Sequence, residues 1–243
     1  MRRVLLGVGL LAPVVATAAE GSLSRMSYAG SPLSMMGMLA LMSLLPFAVL
    51  MLTSFSKIAV VLSLARSAMG TQQAPPTLVL TGLAAVLTGH IMAPVMERMY
   101  DAGQLAYQEL ESGSGTQMLS AASRVAEPLR AFLVKHGSPE ERARFVDLAR
   151  ELRPPEEADA VRETDPFVVI PAFVITELKE AFQIGFLVFL PFLVLDMVIA
   201  NVLLALGMQT LSPSQVSLPF KILLFVAVDG WALLARGLIL GYR

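Results

Sequence analysis

Lysine and aspartate side chains stand inside runs that otherwise have the length and apolarity of membrane helices, and this placement narrows what the chain can become. Lys57 follows a nearly unbroken apolar run from Met35 to Leu52, Asp196 lies within Ile184–Leu206, and Lys221 and Asp229 lie within Val216–Leu234. A charge at mid-bilayer costs roughly 2.5–3.5 kcal/mol on insertion scales, so such a group faces a partner or a wet path. Four of them in a chain of 243 residues argue against a simple anchor. They favour a polar-cored assembly, with the pore of a transport machine first among the candidates. One chain offers them too few evident partners, so association of identical copies is expected.

Composition agrees with that class. The chain is 56% hydrophobic and only 15% charged, against about 25% charged in an ordinary soluble domain. A net charge of −1 points to neither nucleic acid nor an acidic partner. With no cysteine, neither a disulfide nor a thiolate metal site is available. Between Met99 and Asp165 lie 8 Lys/Arg and 13 Asp/Glu. More than half of all charges therefore fall in one polar insert.

The chain opens with Arg2-Arg3, an apolar stretch Val4–Val15 and the small-residue run Ala16-Thr17-Ala18-Ala19. That order predicts a secretory signal peptide over 1–19, cut near Ala18 or Ala19. Residues 20–34 then form a short exported tail. Four apolar segments follow, each near the roughly 20 residues that cross a hydrocarbon core. The first runs from Met35 past Lys57 to Ala65, bent at Pro46, and the second covers Leu78–Val95 after Pro75-Pro76. The third, Phe167–Leu206, is too long for one crossing, and Pro171, Pro191 and the charged string Glu177-Leu178-Lys179-Glu180 are expected to divide it. The fourth covers Val216–Leu240, after a turn-like stretch Gly207–Gln215 with Ser212-Pro213. The fold class is an all-α membrane protein: one helical hairpin over 35–97, a polar insert over 98–166 and a second hairpin over 167–243.

Within the insert, Leu119, Val125, Leu129, Phe132 and Leu133 recur near helical spacing. Gly137-Ser138-Pro139-Glu140-Glu141 reads as a helix stop, an N-cap, a proline at the first position and acids in the first turn. Phe145, Leu148 and Leu152 are the expected apolar face of that second insert helix, which Pro154-Pro155 ends. The signal peptide puts the mature N-terminus outside, and four crossings return the insert and the C-terminus there. Arg66 is almost the only contribution of the positive-inside rule.

No catalytic centre emerges. His90 lies alone in an apolar stretch and His136 in the insert, no pair has metal spacing, and no Ser/His/Asp set or phosphate loop is present. An intramembrane enzyme lacks a nucleophile–base pair. An ion-coupled transporter using Asp196, Asp229 and His90 would usually show related halves, and none are evident. Asp196 and Asp229 read more simply as helix-packing acids bonded to Ser, Thr or backbone, and Lys57 as a structural partner.

Four ordered strings carry a resemblance: Thr53–Lys57 (TSFSK), Leu64–Pro76 (LARSAMGTQQAPP), Pro171–Phe186 (PAFVITELKEAFQIGF) and Leu218–Trp231 (LPFKILLFVAVDGW). They resemble the FliP/SctR family of bacterial type III secretion, from about Leu44 to the end of the chain. The Lys57 form of the first string, RFVDLAREL-RPPEEAD and the ending near Gly241-Tyr242 look more like the injectisome branch than the flagellar one. A signal peptide is more often flagellar.

The resemblance implies a pore-forming subunit of the export gate in the bacterial inner membrane, without cofactor, passing unfolded secreted proteins. It implies a ring of five copies with FliQ/SctS-like and FliR/SctT-like proteins and a larger FlhB/SctU-like partner, the assembly sitting largely above the membrane plane. It assigns Glu177 and Lys221 to a salt bridge between neighbouring subunits. It also implies a pore constriction at the turn after the third segment. The family's methionine-rich loop is here Gly207-Met208-Gln209-Thr210-Leu211, so Met208 and Leu211 are its apolar members.

Overall fold

A computed structural model describes residues 32–71, 74–111, 116–208 and 210–243. The expected signal peptide and most of the exported tail lie outside the described residues. Every regular element is a helix: α1 Pro32–Met51, α2 Phe55–Ala68, α3 Thr77–Glu111, α4 Thr116–His136, α5 Pro139–Glu151, α6 Pro155–Ala158, α7 Pro166–Ala205, α8 Pro213–Ala227 and α9 Gly230–Leu240. Residues up to Ala48 belong to one compact unit and Val49–Arg243 to another. The geometry below concerns the second.

In α2, Ile58, Val61, Leu62, Ala65 and Ala68 recur at helical spacing and are buried. They pack against Leu80, Ala84 and Leu87 of α3, Ala181 and Phe192 of α7, Phe225 of α8, and Leu234 and Leu238 of α9. At Gly185 a Cβ would sit 2.2 Å from Leu64 Cδ1, so α2 and α7 approach closely there and a larger residue would force Leu64 to shift. A second core joins Met92 and Val95 of α3 to Phe132 and Leu133 of α4, Val169 and Phe173 of α7, and Tyr242.

Several sequence expectations are corrected. The first segment is interrupted between Met51 and Phe55, and Pro46 stands inside α1. The third segment is not divided: Pro171 and Pro191 lie inside one helix of 40 residues. Each proline removes one backbone donor, yet the helix runs through both. The fourth segment, in contrast, does break, and α8 and α9 meet at 58°. Asp229 takes a left-handed conformation (φ 52°), which Asp tolerates better than most residues. The Phe225 ring lies 2.4 Å from where a Gly230 Cβ would be, so the bend closes onto an aromatic face. The line drawn at 97/98 falls inside α3, which runs unbroken from Thr77 to Glu111. In α5 the buried positions are Val146 and Glu141, whereas Leu148 is exposed and Leu152 is 86% exposed.

Among the described residues two helices, α3 and α7, are long and apolar enough to cross a membrane, or up to four spans if each of two broken helix pairs counts as one. At 1.5 Å per residue α7 is about 60 Å long, twice a hydrocarbon core of about 30 Å. Only 11% of its most apolar stretch is buried within the single chain. Phe182, Phe186, Leu187, Leu193 and Met197 all stand exposed along it.

Candidate functional site

Two ionic clusters sit on α7. In the first, Lys57 at the start of α2 places its Nζ 3.0 Å from Glu177 Oε1 and 2.6 Å from Glu180 Oε2. Glu177 and Lys57 are buried, while the Glu180 side chain is 45% exposed and reaches solvent. The spacing of the two acids, three residues apart, puts both on one helix face. Tyr242, just after α9, donates its hydroxyl to Glu177 Oε2, and the Lys57 ammonium lies 4.1 Å from its ring centroid. Glu177 Oε1 meets Lys57 as an ion pair outside hydrogen-bond geometry, so that buried oxygen has no hydrogen-bond donor.

Around the phenol stand the aromatic groups of α4. The Tyr242 ring stacks on Phe132 at 5.9 Å and tilts against His136 at 5.0 Å. Burial, with the Lys135 and Lys57 charges adding to it, pushes His136 down to about 4. It is therefore neutral at neutral pH and packs as an aromatic. The elbow that follows is pinned to α7: Ser138 N–H donates to Thr176 Oγ1 at 3.0 Å, and Thr176 Oγ1–H in turn donates to the Ala172 carbonyl at 2.7 Å. Ser138 does occupy the N-cap position of α5, with Pro139 next, but its side chain makes no cap bond. Arg142 donates to the Val134 carbonyl at the end of α4, and buried Glu141 holds Arg144 at 3.2 Å and Lys179 at 3.7 Å.

The second cluster is simpler. Lys221 on α8 donates to Asp196 Oδ2 at 2.6 Å, and Ser217 donates to Asp196 Oδ1. Lys221 is buried, but the Asp196 side chain is 37% exposed. The expectation that one chain lacks partners for its interior charges is thus corrected for Lys57, Asp196 and Lys221, each paired at home. Asp229 is exposed at the α8–α9 bend with no ion pair among the described residues. His90 is exposed on α3.

Within one chain Glu177 and Lys221 are not brought together. Lys221 lies beside Asp196, 19 positions beyond Glu177 on α7, which is about 28 Å along a helix. Met208 and Leu211 are exposed in the turn between α7 and α8. Glu180, Tyr242 and His136 went unassigned by sequence reasoning. The i,i+3 acids of the ELKE string were a legible signal for Glu180, whereas nothing local marks Tyr242. Among the described residues no group of three His, Cys, Asp or Glu could hold a metal. The cluster contains ions and a phenol without an aligned nucleophile, so its chemistry is that of a joint.

Long apolar helices, most of whose surface one chain leaves bare, and buried lysines paired with acids at helix–helix contacts define an all-α membrane protein. The FliP family profile matches residues 38–238, and the chain belongs to that family. It is 45% identical over 214 residues to the hypersensitivity response secretion protein HrcR of Ralstonia nicotianae, covering 86% of this chain and 97% of that one. It is 44% identical over 207 residues to the Yop proteins translocation protein R of Yersinia pestis (84% and 93%). Identity to the flagellar biosynthetic protein FliP of Pectobacterium carotovorum is 47% over 203 residues, covering 83% of this chain but 75% of that protein.

Proposed function

We propose that this chain is a pore-forming core subunit of a type III secretion export gate, passing unfolded proteins across the bacterial inner membrane. The observation that carries the reading is the near end-to-end likeness to HrcR and Yop translocation protein R. It favours the injectisome side, because a quarter of the flagellar relative finds no counterpart here.

The subunit works as a ring of identical chains, five by the family resemblance, with FliQ/SctS-like, FliR/SctT-like and FlhB/SctU-like partners. The bare apolar flank of α7 supports this, since lipid or neighbouring helices must cover it. Across the ring contact Lys221 of one copy meets Glu177 of the next. Glu177 Oε1 is buried without a hydrogen-bond donor, and Asp196 is open enough to be solvated once Lys221 leaves it. Because Lys221 lies beside Asp196, about 28 Å along α7 from Glu177, neighbours are stepped along that helix or α7 is tilted in the ring. Met208 and Leu211 narrow the passage by an apolar, dewetting constriction.

The deciding experiment is native mass spectrometry in mild detergent, with partners co-expressed, alongside secretion. Lys221→Glu should abolish ring and secretion, and adding Glu177→Lys should restore part of both. If Asp196→Lys restores them instead, the in-chain pair is the one that matters. Stable monomers only, from the wild-type chain, would overturn the ring itself. Truncating Met208 and Leu211 together to Ala should raise ion leakage with ring yield kept, and unchanged conductance would put the seal elsewhere.

A further inference from the structure

We propose that Tyr242 is the positioning residue of the Glu177 site: its hydroxyl aims the carboxylate, and its ring locks the α4–α5 elbow onto α7. The first half rests on the ring reading above, and the second does not.

Glu177 has two oxygens with different surroundings. Oε2 accepts from the Tyr242 hydroxyl, and Oε1 faces Lys57 without a hydrogen-bond donor. The phenol therefore fixes the plane of the carboxylate and keeps Oε1 turned to the Lys57 ammonium. Without that bond Oε2 loses its donor and the carboxylate is free to turn about its contact with Lys57. Buried carboxylates need such donors, and a hydrogen bond to a charged group is worth more than an ordinary one.

The ring of the same residue reaches the insert. It stacks on Phe132, meets His136, and carries Lys57 over its face. Phe132 in turn lies 5.8 Å from Phe173 of α7, one turn before Glu177. Gly137 and Ser138 follow at once, with the Ser138 N–H on Thr176. One side chain thus touches the start of α2, the end of α4 and the charged turn of α7. Any force that shifts the insert reaches the carboxylate through it.

The two halves separate by substitution. Tyr242→Phe keeps the ring and removes the hydroxyl, whereas Tyr242→Ala removes both. The chain has no cysteine, so one introduced at Ala172, which is buried on α7, reports opening of the elbow by its alkylation rate. A cysteine at buried Ala84 in the other core serves as control. Tyr242→Ala should speed alkylation at position 172 by about tenfold or more while position 84 stays protected, and Tyr242→Phe should leave both rates unchanged. Equal acceleration at both positions would reduce Tyr242 to a general stability residue, and protection at 172 in Tyr242→Ala would remove the lock. For the aiming role, Tyr242→Phe should lower ring yield by roughly tenfold in the wild-type background and by less than about twofold when Glu177 is already Gln. Additive losses, or none, would overturn it. If the wild-type protein gives only monomers, the ring reading fails while the alkylation results still decide the lock.

Discussion

The two ionic clusters on α7 use the same groups, a lysine and carboxylates, yet they are built differently. The Lys57 cluster draws on α2, α4, α7 and the residue after α9, gives one ammonium two carboxylates, and seals Glu177 away from water. The Lys221 cluster is a pair with one serine, and its acid is partly wet. A sealed pair has no solvent to fall back on when one member goes, whereas a wet one does. The first is therefore the tighter joint and the second the more readily exchanged pair.

Removing each lysine tests that contrast most strongly. Lys57→Met keeps most of the volume and leaves Glu177 buried without a counter-charge, so unfolding should become easier by about 3–5 kcal/mol. Lys221→Met leaves Asp196 with water and Ser217, and should cost nearer 1 kcal/mol. Thermal or denaturant unfolding in detergent, followed through Trp231, measures both. Equal losses would erase the distinction between the clusters.

A smaller effect sharpens the comparison from the side of the insert. The folded protein holds His136 down to about 4 from an ordinary 6.5, so between those values the unfolded chain binds more protons there. Stability contributed by the neutral ring is complete above about pH 6.5 and is lost as pH falls toward about 4. His136→Phe should flatten the part of the melting-temperature profile between pH 6.5 and 4 that belongs to this residue. A wild-type slope that survives His136→Phe unchanged would assign it to other groups.

Much of the fold was legible because helices announce themselves locally. Apolar runs of span length, the Gly137–Glu141 punctuation and the periodic face of α4 each depend on residues within a few turns, and each became a helix or a helix end close to where it was expected. Proline misled in both directions. Pro171 and Pro191 look like breaks but α7 runs through both, while the real interruptions fall at residues 52–54 and at Asp229. The α5 face misled for another reason: Val146 and Glu141 are covered because α7 lies on that side and Phe145 packs partly with them, whereas Leu148 and Leu152 are bare because none of the described residues covers them.

The sequence by itself determined that this is a helical, membrane-type member of the FliP family, since apolarity over span length and ordered strings are properties of consecutive residues. It also determined which charges would be expensive. Only the tertiary structure decided whom they meet. Lys57 finds Glu180 across 123 positions, and Tyr242 finds Glu177 across 65. Partners that distant leave no mark on local periodicity. The choice is made by packing: buried Phe173 and Glu177 of α7, the small residues of α2 and the bend at Asp229 bring the end of the chain, at Tyr242, back to Glu177. Tyr242 then stands over the one lysine that a buried carboxylate cannot do without.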